Sequence, residues 1–173
     1  MATSPVLLNP SSLAPWSRVR VKWFQVLLSL IFICFTSTTL MGGANTGTVL
    51  NAVWRAVLGT WHYDLRGIAN EVLRKFGHFF GYGMIGLIFR NAWVASLRAL
   101  TSLVRAWVAP FAGSLAVAST FLVACLDEWH QKFVPGRVSS FHDVLVDTTG
   151  ALLLNVMVWE LRARKRRQLM NAY

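Results

Sequence analysis

The sequence predicts an all-α integral membrane protein, a bundle of four transmembrane helices with an amphipathic interfacial helix after the first span. Three observations carry this. The chain is 55% hydrophobic and only 14% charged, against about 25% charged in an ordinary soluble domain. Its apolar residues gather into four stretches of the length that crosses a hydrocarbon core. Trp23, Trp93, Trp107, Trp129 and Trp159 stand near the ends of those stretches, as an interfacial aromatic belt would. A mean hydropathy of +0.48 excludes a disordered tail, and 173 residues allow one domain.

Residues 1–22 carry Pro5, Pro10 and Pro15, then Arg18, Arg20 and Lys22. They read as a disordered basic tail on the cytoplasmic side. The membrane domain covers residues 23–160. Its first span is Trp23–Met41. In the loop that follows, Val49, Leu50, Val53, Trp54, Val57, Leu58 and Trp61 recur at helical spacing, which predicts the surface helix. The second span is Phe76–Val94 and the third Trp107–Leu126. The fourth, about Asp143–Trp159, is interrupted by Asp143, Asp147 and Asn155. Residues 161–173 form a second basic cytoplasmic tail. Cys34 and Cys125 fall at different depths of the bundle and are expected to stay free.

The net charge of +10, from 17 Lys and Arg against 7 Asp and Glu, then acquires a meaning. With the N-terminus inside, eleven basic residues fall on the cytoplasmic side and six on the outer side. That asymmetry sets orientation, N-in and C-in, and gives no reason to expect a nucleic-acid partner.

A charged or ionisable residue inside a span is costly and therefore informative. At 100° per residue, Lys75, His78 and Tyr82 share one face of the second span. Glu71 sits four residues before Lys75, at pairing distance. Gly77, Gly81, Gly83 and Gly86 thin the same helix for close packing. The third span ends in Asp127, Glu128, Trp129, His130 and Gln131. A Pro135-Gly136-Arg137 turn follows, and Ser139 or Ser140 can cap the last helix. Asp143 and Asp147 then lie on one face, with Gly150 continuing the stripe.

These groups converge on the outer end of the bundle. Lys75 and Arg137 there face Asp127, Glu128, Asp143 and Asp147. Two cations do not balance four carboxylates at low dielectric. Either a carboxyl keeps its proton, or Arg74, Lys132 or a protonated His joins, or a cation binds.

The same residues resemble the VanZ-like family of small bacterial membrane proteins. The resemblance lies in Arg74-Lys75, His78 and Tyr82; in Asp127-Glu128, Gln131 and Phe133; in Pro135-Gly136-Arg137; and in Asp143, Asp147 and Gly150. Phe35-Thr36-Ser37 resembles the family's Ser-containing end of the first helix. The likeness spans roughly residues 23–160. It departs at Asp147, where the family usually has Asn. It implies an envelope protein and, through the family's namesake, reduced susceptibility to teicoplanin, a lipid-bearing glycopeptide. It implies no reaction.

Three roles remain open for the cluster Lys75, His78, Tyr82, Asp127, Glu128, Gln131, Arg137, Asp143 and Asp147. It can latch the helices together. It can bind the anionic headgroup of a membrane lipid or lipid-linked cell-wall precursor, with Arg137 suited to bidentate contact. Or it can act on a lipid-linked phosphate, with His78 or Glu128 as general base and Arg137 or Lys75 as anion stabiliser. The acids and histidines, including His130 and His142, show no metal-ligand spacing, and no cofactor is expected.

Overall fold

The computed structural model describes residues 10–37, 43–59, 65–100, 105–135 and 139–172. They form five helices: α1 (Pro10–Thr36), α2 (Gly43–Leu58), α3 (Arg66–Leu100), α4 (Arg105–Gln131) and α5 (Phe141–Asn171). There is no strand among the described residues. The expected all-α class is the observed one. Three helices are long and apolar enough to cross a membrane: α1 over Trp16–Thr36, α4 over Trp107–Gln131, and α5. The stretch expected as the second span lies within α3, whose apolar course is broken by His78, Arg90, Asn91 and four glycines. Large hydrophobics cover the outside of the bundle, among them Phe24, Ile31, Phe32, Leu122, Leu126 and Leu153. Such a surface suits a hydrocarbon solvent.

The basic stretch before the first span is not a separate tail. Residues 10–22 continue α1 without a break. Pro10 stands at the first helical residue, where a missing N–H costs nothing. At the other end, α5 runs on through the basic residues to Asn171. The helix expected after the first span is α2. Gly59, at φ 61°, follows it in the left-handed conformation and donates its N–H to the Arg55 carbonyl at 3.2 Å, a glycine C-terminal cap.

Every other helix packs against α3. Its closest partner is α5, because both present small residues at the crossing. A Cβ added to Gly86 would stand 2.8 Å from the Ala151 Cβ, and one added to Gly83 would overlap the Leu154 side chain. A Cβ on Gly150 would collide with the Phe79 carbonyl oxygen. The buried stripe of α5 is Val144, Asp147, Gly150, Ala151 and Asn155. The core between the helices is built on Val26, Ile33, Tyr82, Ile85, Phe89, Ala92, Ala116 and Ala124.

Two tryptophans expected in the aromatic belt are structural instead. Trp23 of α1 sits edge-on to Trp93 of α3 with centroids 5.2 Å apart, and its indole N–H donates to Ser96 Oγ at 2.9 Å. Trp93 donates to Ser119 Oγ of α4 at 3.1 Å. A buried indole N–H needs an acceptor, and neighbouring serines supply it within the bundle. Trp107, Trp129 and Trp159 are exposed, as the belt requires.

Ser140 is the N-cap of α5, with its Oγ accepting from the His142 N–H at 3.2 Å. Ser140→Ala is expected to cost about 1 kcal/mol, the ordinary value of a lost cap. The check is a melting-midpoint comparison in detergent. The Ser140 backbone N–H also donates to Glu128 Oε2 at 2.7 Å, which ties the start of α5 to the end of α4.

Candidate functional site

The polar residues gather where α1 and α4 end and α5 begins. Asp127, 7% exposed, is held from two helices. The Ser37 hydroxyl, just past α1, donates to one carboxylate oxygen. Gln131, one turn on along α4, donates Nε2–H to the other at 2.8 Å. Glu128 is buried beside it, with Oε2 bonded to Ser140 and Oε1 without a hydrogen-bond partner.

On the α3 side, His78 Nδ1 faces Asp147 Oδ1 at 3.5 Å. This is ion-pair distance, and neither atom makes a hydrogen bond. Asp147 is 1% exposed. The His78 ring is stacked over Tyr82, centroids 6.0 Å apart. The Tyr82 hydroxyl is buried and has no hydrogen-bond partner. Arg74 Nη2 lies 3.9 Å from Asp143 Oδ2, and His142 approaches the same carboxylate at 3.9 Å from the exposed side.

Of the four acids, Asp143 has Arg74 beside it and Asp147 has His78, whereas Asp127 and Glu128 are held by hydrogen-bond donors and have no ion pair among the described residues. Lys75 does not pair with the buried acids. Its Nζ bonds Glu71 Oε1 at 2.9 Å on the helix surface, and it only borders a narrow cleft shared with Arg74, His78, Asp143 and Asp147. The nearby ammonium holds the exposed Glu71 carboxyl below its ordinary value, through the hydrogen bond first and charge second. The i, i+4 partner won because it is on the same helix and needs no tertiary packing. Arg137 lies outside the described residues. Among the described residues, no three His, Cys, Asp or Glu side chains are grouped to hold a metal. Cys34 and Cys125 are free thiols, as expected.

A cavity of about 510 Å³ opens between α1 and α3. Its polar end carries Ser37, Asn70, Arg74, His78, Tyr82 and Asp127, and the remainder is mostly apolar, with Phe32, Ile33, Met84, Ile85 and Ile88. Gly77 and Gly81 make the room. A Cβ on either would meet nothing within 4 Å, so these two glycines border the cavity and do not serve the close packing that Gly83 and Gly86 provide. Ser37, Asn70 and Arg74 are not legible as a group from spacing alone, since Ser37 lies just past α1 and the other two lie on α3.

A helical bundle with a lipid-facing surface, a hydrogen-bonded carboxylate cluster at one end and a side cavity reaching it defines a membrane protein with an embedded polar site. Residues 9–162, nearly the whole chain, match the family model VanZ/LLP1. The chain belongs to the VanZ-like family. No curated protein and no solved structure matches it.

Proposed function

We propose that this VanZ-like protein acts in the bacterial cytoplasmic membrane with both termini inside. In this reading α1, α3, α4 and α5 span the bilayer, and α2 lies on its outer surface. The cavity between α1 and α3 receives an amphiphile at the outer leaflet, either an anionic lipid or a lipid-linked cell-wall precursor. Occupancy there lowers susceptibility to teicoplanin-type glycopeptides.

The observation that carries this reading is the cavity's two-part lining. Arg74, with the His78 ring and the Tyr82 hydroxyl, suits a phosphate-bearing head, and the apolar wall suits a hydrocarbon tail. The excess of basic residues in α1, at the facing ends of α3 and α4 (Arg98 and Arg105) and toward the end of α5 supports the orientation.

The test uses the cavity glycines. Gly81→Leu fills the cavity and touches none of the hydrogen bonds of the cluster. Expressed in a glycopeptide-sensitive bacterium, the wild-type chain is expected to reduce susceptibility to teicoplanin more than to vancomycin. Gly81→Leu, at equal membrane level, is expected to lose the effect. Lys75→Met is expected to keep it and to leave the melting midpoint unchanged, because its ammonium bonds only an exposed glutamate. No difference between wild type and empty vector would remove the resistance reading. A full effect in Gly81→Leu would leave the cluster as an inter-helix latch.

One observation favours a second reading, an enzyme acting on a lipid-linked phosphate. His78 turns Nδ1 toward Asp147 and also lines the cavity, the arrangement of a carboxylate-oriented general base. Turnover of a lipid-linked phosphate by purified protein, lost in His78→Gln, would establish it.

A further inference from the structure

Arg90 is the largest fully buried side chain in the bundle, at 2% exposure. It stands twelve residues along α3 from His78, about 18 Å away at 1.5 Å per residue, and so belongs to a different part of the molecule. Among the described residues no carboxylate pairs with it and no hydrogen bond is made by it. A buried guanidinium without a counter-charge is expensive, because desolvation is not offset by any attraction.

The small part of the side chain left accessible borders open space. It lines a second cavity, of about 630 Å³, between α3, α4 and α5. Arg90 is the one ionisable group among the residues lining it. Asn155 of α5 lines it too. Its amide nitrogen donates to the Ala151 carbonyl at 2.8 Å, and its Oδ1 is buried without a partner. Both thus border the same space. Arg90 lies one turn beyond Gly86, where an added Cβ would be 3.2 Å from Asn155 Nδ2. The Ser114 and Thr148 hydroxyls also line the space, and the remaining wall is mostly apolar, with Val117, Phe121 and Val156.

We infer that Arg90 and Asn155 form a second binding site, which takes the hydroxyl-bearing phosphodiester headgroup of an anionic membrane lipid. The phosphate supplies the negative charge that Arg90 lacks, in the fork geometry a guanidinium favours. Asn155 Oδ1 accepts from the headgroup hydroxyl. The apolar wall covers the upper part of an acyl chain. Free phosphate would satisfy Arg90 but leave that wall empty. A lipid satisfies both, and it enters sideways from the bilayer.

The experiment compares melting midpoints of the full chain in nanodiscs of phosphatidylcholine with and without phosphatidylglycerol. High salt, about 1 M, contracts the Debye length to about 3 Å and silences the exposed basic residues. Phosphatidylglycerol is expected to raise the wild-type midpoint under these conditions, whereas inorganic phosphate added to phosphatidylcholine discs is not. Two variants carry the test. Arg90→Gln removes the cation, and Asn155→Asp gives Arg90 an internal carboxylate. Each is expected to weaken apparent phosphatidylglycerol affinity by at least about tenfold, the loss of one charge-assisted contact. If Arg90→Gln is not recovered folded, Asn155→Asp decides alone. An undiminished phosphatidylglycerol effect in either folded variant overturns the site. So does an equal effect of inorganic phosphate, or no lipid effect in the wild type.

Discussion

Gly150→Ala is expected to destabilise the bundle by about 3 kcal/mol or more, above the usual range for added core volume. The added methyl would overlap the Phe79 carbonyl oxygen and come 3.0 Å from its carbon. Those are backbone atoms of α3, so no rotamer change relieves the contact. The whole of α5 must draw back, and the contacts around Ala151, Asn155 and Leu154 loosen with it. Helix propensity pulls the other way, since alanine is better than glycine in a helix by about 1 kcal/mol. Gly81→Ala isolates that term, because a Cβ there meets nothing within 4 Å. The two substitutions, identical in chemistry, should shift the melting midpoint in opposite directions in the same detergent. Gly150→Leu should yield no folded protein. A Gly150→Ala midpoint at or above wild type would mean that the α3–α5 crossing is not as tight as it stands here.

That pair of glycines shows where sequence reasoning reaches and where it stops. Small residues in a span signal close packing, and at Gly83, Gly86 and Gly150 the signal is right. Gly77 and Gly81 look the same in the sequence, yet they face open space. Composition does not say which side of α3 another helix will cover. The same limit explains Lys75. A shared helical face puts it in one cleft with His78, but angular proximity does not choose between a local and a tertiary partner, and Glu71 is local. His78, Tyr82, Asp127, Glu128, Gln131, Asp143 and Asp147 were legible because ionisable and amide side chains within apolar helices are too costly to be incidental. They do stand together at one end. Ser37 was visible only through the family resemblance, since a serine at the end of an apolar run carries no distinguishing cost. Arg90 is one of the eleven basic residues that the sequence places on the cytoplasmic side, because a position near the end of a span is that of an anchoring arginine. Its burial, and its place beside Asn155 on one cavity wall, come from how α3, α4 and α5 pack, and so are absent from any one-dimensional pattern. Trp23 and Trp93 were misassigned for a related reason. Position near a span end is shared by belt residues and by helix-to-helix clasps, and only the serine acceptors separate them.

Asp127→Ala is expected to cost about 3 kcal/mol, the second large effect, and the neighbouring residues determine why. The carboxylate accepts from Ser37 and Gln131, both almost wholly buried. Truncation leaves a hydroxyl and an amide without their acceptor, each worth about 1–3 kcal/mol when unsatisfied, while removal of a buried charge returns part of that. Asp127→Asn should cost less than half as much. Its Oδ1 still accepts from Ser37, and Gln131 can turn its own carbonyl toward the new Nδ2. The triple variant Asp127→Leu, Ser37→Ala, Gln131→Leu should recover most of the stability lost in Asp127→Ala, because replacing every partner with apolar groups leaves nothing unsatisfied. The triple variant also separates stability from role. If the cluster only clasps α1 to α4, it should fold and keep any glycopeptide phenotype of the wild type. If Asp127 and Ser37 serve the cavity they line, the phenotype should vanish from a protein whose melting midpoint has been restored. Equal stability of Asp127→Ala and wild type in denaturation would show that neither Ser37 nor Gln131 depends on this carboxylate, and the cluster would then have no claim to hold the helix ends together.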